Sequence, residues 1–409
     1  MASDFLLRPV TRDELTEFTM TPLTAFGERF EPARFELDWT SVELDRTLAA
    51  FEGDKIVGTG RLYSLELTMP GGRLLPTAGV SWIAVLPTHR RRGILTAIKR
   101  TQLDDAADRG EALAILYASE SGIYRRFGYG VSTSSMSVSV ERRHSGFLNP
   151  VPDGRVRLVE EDDARKLFPD IFDRARRTQP GAVQRVEAWW PDEFFWRDHD
   201  EKGTRHYCVC ESPDGNLDGY AAYRFEASWD NEPNGTVQVT DLVTVSSAAR
   251  AVLWRYLLDV DLVDTIKAVV VPVDEPLRWL LRESRRMRVT RLGDSLWVRV
   301  LDAPAALSAR TYATPGRVVF EIADPVRPDG DAAGRFVLDG GPDGADARRT
   351  TDEPDLVLDV AALGGILLGG VRASALARAG LVDERTPGAL AIADAMFAVE
   401  PLPFSMTEF

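Results

Sequence analysis

The sequence predicts an α+β (mixed α/β) protein built from three consecutive parts, and three observations carry that prediction. The chain has 409 residues, whereas single hydrophobic cores stop growing near ~250–300 residues, so two or three domains are needed. Strand-like runs broken by Gly and Asp turns lead twice into a strand–helix–strand alternation, once within 1–143 and again within 144–290. From 291 to 409 the pattern changes to shorter strands and helices, a third and smaller α+β part.

In the first part, FLLRPV reads as a strand, and Thr11 with Glu14 three residues on is a capping-box pattern for a helix start. TLAAFEGDKIVGTGRLYSLELTM reads as a hairpin turning at Gly53–Asp54. A Pro-Gly-Gly break then leads into Val80–Gly130, the stretch around which the rest is organised. Ser81 to Val85 is a strand ended by Pro87. Ile94, Leu95, Ile98, Leu103, Ala106 and Ala107 fit one face of a helix lying between Gly93 and Gly110. Ala112 to Ala118 is nearly all apolar, as a strand covered on both faces would be. VSTSSMSVSVERR alternates and adds one more strand, and HSGFLNPVPDG reads as a linker.

The second part repeats this order. VRLVEEDDARKLFPDIFDRARR gives a strand and a helix, a hairpin turns at Asp214–Gly215, and a strand runs to an N-cap at Ser246 or Ser247. IKAVVVPVDEPLRWLL then repeats the strand–helix alternation. The part lacks the Arg/Gly turn of the first and reads as a degenerate internal duplicate. In the third part LWVRV is a strand and Asp302 caps a helix with Pro304 near its start. VVFEIADPV, GRFVLDGG and LVLDVAAL read as strands, and ARAGLV and PGALAIADAMFA as helices.

A formal charge of −14 disfavours general nucleic-acid binding and anionic membrane surfaces. It suits a cationic substrate, although acidity also serves solubility. The two cysteines, Cys208 and Cys210, are too close for an ordinary disulfide framework and point to a reducing, cytoplasmic setting. MASDFLLRPVTRDELTEF has no basic region followed by an apolar run, so no signal peptide is expected. No apolar run approaches the roughly 18 residues of a membrane span.

The chemistry concentrates in Val80–Gly130. Arg90, Arg91, Arg92 and Gly93 stand between a strand and a long helix. A helix N-terminus presents unpaired N–H groups and the positive end of a dipole, glycine lets an anion approach, and arginine forks suit phosphate. A solvated basic turn is the plainer reading; its placement favours phosphate. No Gly-Lys-Ser/Thr follows, and GxGxxG is absent, so neither a Walker loop nor a dinucleotide fingerprint applies. His206, Cys208 and Cys210 alternate along one strand face. That pattern admits a soft-metal half-site, but a buried strand is the simpler account and no metal is expected. WWPDEFFW, Trp189 to Trp196, reads as helix core or subunit contact before it reads as a ligand wall, and His89 as structural.

VSWIAVLPTHRRRGIL resembles the acetyl-CoA motif of the GCN5-related N-acetyltransferases (GNAT), Arg/Gln-x-x-Gly-x-Gly/Ala, with Arg90 and Gly93 matching. Leu95 stands where the motif has a small residue, a departure that would tighten the pyrophosphate loop. PTAGVSWIAVLPTHRRRGIL together with ASESGIYRRFGYG is similar to the enhanced intracellular survival (Eis) acetyltransferases. Those chains join an active GNAT domain, a degenerate one and a sterol-carrier-protein-like α+β domain, here 1–143, 144–290 and 291–409.

The resemblance implies acetyl-CoA as cofactor, with Ile83, Ala84 and Val85 pairing with its pantetheine arm. It implies a pyrophosphate cradle of Arg91, Arg92, Gly93, Ile94, Leu95 and Thr96 with Arg90 adjacent, and Ser119 and Glu120 facing the cofactor. Tyr124 would be the general acid and the free carboxylate of Phe409 the general base. For Tyr124 the plainer reading is a core aromatic packed with Phe127 and Tyr129. The tail PLPFSMTEF carries Leu402, Phe404, Met406 and Phe409, a composition suited to insertion in a cleft. Glu408 would attract a cationic substrate; Glu28 is a weaker candidate, more simply a solvated charge. The resemblance further implies small-molecule multi-amine substrates such as aminoglycosides, direct attack in a ternary complex, and a homo-hexamer. The competing expectation is a non-catalytic protein whose sterol-carrier-like domain holds an apolar ligand.

Overall fold

The computed structural model describes residues 5–195 and 202–409. Trp196, the end of the expected aromatic run, and residues 1–4 at the N-terminus lie outside them.

The first part supplies β1 (Leu6–Pro9), α1 (Leu15–Phe26), α2 (Pro32–Asp38), β2 (Thr47–Glu52), β3 (Lys55–Thr68), β4 (Leu74–Val85), α3 (Ile94–Asp108), β5 (Leu113–Tyr117), α4 (Ser121–Tyr124), β6 (Gly130–Val131) and β7 (Ser134–Glu141). The capping box forms as expected: the Thr11 N–H donates to Glu14 Oε2 at 2.8 Å, with one 3₁₀ turn preceding α1. The β2–β3 hairpin turns at Gly53, whose φ of 61° is left-handed and easy only for glycine.

The second part supplies β8 (Arg155–Val159), α5 (Glu161–Arg176), β9 (Thr204–Glu211), β10 (Leu217–Glu226), the small pair β11 (Trp229–Asp230) and β12 (Glu232–Pro233), β13 (Gly235–Thr244), α6 (Ser247–Asp259), β14 (Val263–Pro272), α7 (Leu277–Leu280) and β15 (Arg288–Asp294). β16 (Leu296–Val300) comes next.

Two seven-stranded sheets result, in the orders β1-β2-β3-β4-β5-β16-β6 and β8-β9-β10-β13-β14-β7-β15. Position by position they are the same sheet, and the parallel β4–α3–β5 crossover recurs as β13–α6–β14. The sixth position is traded: β7 pairs in the second sheet and β16 in the first. A boundary at 290/291 therefore falls inside β15, and one at 143/144 separates β7 from the other strands of its sheet. LWVRV, expected in the third part, is this β16. Alternation marks a strand but does not select its partner, which is a non-local choice.

The third part holds α8 (Ala303–Ser308), β17 (Gly316–Ala323), β18 (Gly334–Gly341), β19 (Gly344–Arg349), β20 (Leu356–Asp359), α9 (Val360–Leu367), α10 (Ala373–Arg378), β21 (Val382–Glu384) and α11 (Ala389–Phe397), with sheet order β19-β18-β17-β20-β21. Two expectations fail here. LVLDVAAL is strand only to Asp359, whose side chain accepts from Ala362 N and starts α9. ARAGLV is the end of α10 and the start of β21, the helix lying further upstream than its apolar residues indicated.

One buried apolar cluster runs through Tyr63, Leu65, Ile115 and Val298 of the first sheet, Trp189 of the second part, and Phe320, Leu338 and Leu363 of the third. The parts therefore share a core. Backbone approaches closely at the joint between the first sheet and α9. A Cβ on Gly130 would lie 1.9 Å from the carbonyl oxygen of Ala361, and one on Gly364 would lie 2.2 Å from that of Val298. Gly130→Ala is thus expected to destabilise the fold by about 1–3 kcal/mol through overpacking. Chemical denaturation reads this, and an unchanged midpoint would contradict the close approach.

Candidate active site

β4 and β5 run together only where Thr77–Gly79 faces Leu113–Ile115, after which β4 continues to Val85 paired with β3 but not with β5. The β3–β4 register shifts between Thr59 and Arg61, and Trp82 sits at φ 54° near the C-terminal end of β4. That irregularity bends β4 away from β5 and opens a fork. A cavity of about 490 Å³ lies at the open end of this fork.

Of the residues singled out in the sequence, Ile83, Ala84, Val85, Arg90, Arg91, Gly93, Ile94, Leu95, Thr96, Ser119, Glu120 and Tyr124 line that cavity. The turn entering α3 holds Arg91 at φ 66° and Gly93 at φ 83°. Left-handed backbone is unusual for an arginine and is held here by the surrounding turn. Gly93 is the N-cap and no side chain caps the helix. A Cβ on Gly93 would meet nothing within 4 Å, so the helix start opens freely into the cavity. The equivalent helix of the second part differs. Ser246 Oγ accepts from Ala249 N at 3.2 Å, so a side chain caps the start of α6. The first part alone thus combines an uncapped α3 start with arginines on the cavity wall, a fit to the diphosphate of acetyl-CoA.

Arg92 is placed otherwise. Its Nη2 donates to Glu52 Oε1 at 2.6 Å and its side chain does not line the cavity. His89 Nε2 meets Glu52 Oε2 at 2.9 Å, which makes His89 a brace of the turn. The Arg92 hydrogen bond, then that of His89, holds the Glu52 carboxyl below its usual range.

Tyr124, buried at the end of α4, is both a packed core aromatic and a cavity residue. Its ring meets Tyr129 edge-on at 6.2 Å, and the residue also lines the cavity. Burial raises its phenol pKa, against a hydrogen bond with Ser119 that lowers it; the nearby Glu120 charge raises it further. The phenol therefore keeps its proton at neutral pH.

The C-terminal tail is anchored along its length. Gln179 Nε2 donates to Leu402 O at 2.8 Å, Phe404 N to Pro180 O at 2.8 Å, Arg185 Nη2 to Met406 O at 2.8 Å, and Tyr117 Oη to Thr407 O at 2.6 Å. The Phe409 ring stacks on Trp189 at 6.1 Å and meets Tyr117 and Tyr63 edge-on at 5.4 and 6.3 Å. A Cβ on Gly79 would touch that ring at 3.1 Å, so Phe409 packs where β4 and β5 begin to part. Phe409 is beside the fork rather than on the cavity wall. Glu408 and Glu28 are exposed and do not line the cavity; Glu28 lies just beyond the α1 residues Ala25 and Phe26, which do.

Ala25, Phe26, Ile123 and Arg126 are cavity residues that the sequence reading missed, and His89, read as structural, also lines the cavity. Arg126 was visible in the RRFG run but had no structural placement. Cys208 and Cys210 are free and buried, their thiols pushed by burial to about 12 and about 11. Among the described residues no group of three or more His, Cys, Asp or Glu side chains is arranged to hold a metal. No described helix is long and apolar enough to cross a membrane.

Two family models described as acetyltransferase (GNAT) domain match residues 7–132 and 181–300, and one described as sterol carrier protein domain matches 303–405. Fold and cavity together define a GNAT acetyltransferase with a second GNAT unit and a sterol-carrier-like domain, and GNAT domains imply use of acetyl-CoA. An uncharacterized N-acetyltransferase of Streptomyces avermitilis is 38% identical over 405 residues, 97% of this chain and 98% of that one. N-acetyltransferase Eis of Mycobacterium tuberculosis is 36% identical over 354 residues, 85% of this chain and 84% of its own. The crystal structure of Eis1 from Mycobacterium abscessus superposes with a TM-score of 0.89 at 38% identity, covering 99% of this chain and 100% of that one. The chain belongs to the Eis family of N-acetyltransferases.

Proposed function

We propose that this protein transfers the acetyl group of acetyl-CoA to amines of cationic multi-amine small molecules, aminoglycosides among them, by direct attack within a ternary complex. The observation that carries the proposal is one cavity with an uncapped, arginine-flanked helix start among its walls and a buried, protonated phenol, Tyr124, on the same surface. Ile83 to Val85, beyond the point where β4 leaves β5, would receive the pantetheine arm as an added strand. Arg90, Arg91 and the first turn of α3 would hold the diphosphate.

An amine with a pKa near about 10 is mostly protonated at neutral pH and attacks only as the free base. As the C–N bond forms, its nitrogen becomes strongly acidic and a carboxylate can take the proton. The Phe409 terminus is the proposed acceptor, and its anchored tail supports that role. The Tyr124 phenol then gives its proton to the departing sulfur. Glu408 and the net charge of −14 favour cationic acceptors. Assembly as a hexamer and a cytoplasmic location belong to the same proposal and rest on family resemblance.

Arg91→Ala is expected to raise the acetyl-CoA KM roughly ten-fold with little change in kcat, as loss of a charge-assisted contact would. Steady-state kinetics checks this, and an unaltered KM would remove Arg91 from the cradle. An amine panel with product mass tests the substrate class; acetylation confined to monoamines would oppose the multi-amine reading.

A further inference from the structure

The segment just after Tyr124 is held from the far end of the chain. Tyr124 leads directly into a 3₁₀ turn, Arg125–Phe127, closed by Gly128 at φ 85°. Arg299 of β16 donates through Nε to the carbonyl of Phe127 at 3.0 Å. That guanidinium is itself fixed by Asp324 at 2.5 Å, with side-chain exposures of 0% and 1%. A Cβ on Gly128 would lie 2.7 Å from Arg299 Nε and 2.8 Å from Val360 Cγ1 of α9, so the turn rests directly on both. Beside it, Arg125 Nη2 donates to Asp359 Oδ2 at 2.8 Å, while the other oxygen of Asp359 accepts from Ala362 N and starts α9. The turn is thus pinned at Arg125 and Gly128 by Asp359 and Val360 of the third part, and at Phe127 and Gly128 by Arg299 of the first sheet, which Asp324 of the third part holds.

We infer that the sterol-carrier-like domain is a positioning element for Tyr124, acting through the Arg125–Asp359 pair and the Arg299–Asp324 anchor. This rests on the reading of Tyr124 as general acid. Proton donation to sulfur requires the phenol at hydrogen-bond reach, and a misplacement of about 1 Å in such a group costs up to 10²-fold. The element carrying Tyr124 is only four residues long and has no side-chain cap. Its orientation therefore depends on the pinned turn at Arg125–Gly128. Arg299 is too deeply buried to remove safely, and Asp359 also caps α9. Arg125 is the residue to change: its side chain is 39% exposed and its partner's 38%, so the pair adds little to stability.

The test uses the full chain with its native C-terminus. Arg125→Ala is expected to lower kcat roughly ten-fold with acetyl-CoA KM and thermal midpoint near wild type, and Arg125→Lys to recover most of the rate. In a Tyr124→Phe background, Arg125→Ala should cost less than about two-fold more, because the group it positions is gone. A kcat within about two-fold of wild type, a Lys variant no better than Ala, or losses that multiply in the double variant would each overturn the inference. The two levels separate cleanly. A slow Tyr124→Phe beside a full-speed Arg125→Ala removes only the positioning role, whereas a Tyr124→Phe enzyme at wild-type speed removes the general acid and the inference with it.

Discussion

Tyr124→Phe is expected to lower kcat by roughly 10²–10⁴-fold while leaving the acetyl-CoA KM nearly unchanged. The ring fills the same space against Tyr129, so packing and cavity shape persist and only the hydroxyl is lost. Single-turnover kinetics with a fixed amine isolates the step. The pH dependence has a definite sign. Burial raises the phenol pKa above its usual value near about 10, so the acid form persists and no alkaline fall in kcat from this group is expected below about pH 10. A fall centred near neutrality that disappears in Tyr124→Phe would contradict the assignment, as would wild-type turnover in that variant.

Deleting Phe409 is expected to have a comparable effect on turnover, roughly 10²–10⁴-fold, if its carboxylate takes the amine proton. Two losses coincide in that variant, since the ring also leaves its place among Tyr63, Tyr117 and Trp189. Extending the chain beyond Phe409 separates them. The ring stays, the carboxylate becomes a peptide carbonyl with no basicity, and turnover should fall as far as in the deletion. Phe409→Leu keeps the carboxylate and most of the apolar contact and should lose far less. Initial rates at saturating acetyl-CoA compare the three. A tagged C-terminus with undiminished kcat would remove the tail from proton transfer, leaving it a purely structural plug.

Local chemistry explains which features the sequence disclosed. The Thr11–Glu14 capping box, the turns at Gly53 and Gly215 and the caps at Ser246 and Asp302 are decided within a few residues, and they form as read. The cavity was legible for the same reason: a strand, an arginine–glycine turn, a helix, a second strand and Tyr124 all fall within Val80–Gly130. Three features were not legible. The trade of β7 for β16 depends on which of two similar sheets each strand joins, and alternation says nothing about that. The helix α9 was hidden because LVLDVAAL is apolar almost throughout, a pattern shared by buried strands and buried helices, and the Asp359 cap decided between them. Arg92 was grouped with its neighbours by adjacency, whereas its partner Glu52 lies 40 residues away.

The duplicated sheets also differ at the start of the crossover helix. α3 begins at an uncapped glycine beside arginines, and α6 begins at a serine whose side chain caps it. The second unit instead contributes Arg185, whose guanidinium pairs with Asp241 at 3.0 Å and holds the tail at Met406.

The central claim is that this chain moves acetyl from acetyl-CoA to amines of cationic small molecules. The most direct measurement incubates the native-terminus protein with acetyl-CoA and a panel of aminoglycosides, polyamines and monoamines. It records thiol release together with the mass of every product. The account predicts thiol release in step with acetylated multi-amine product, and none in the absence of amine. Thiol release without acetylated amine, or no turnover with any member of the panel, would contradict it.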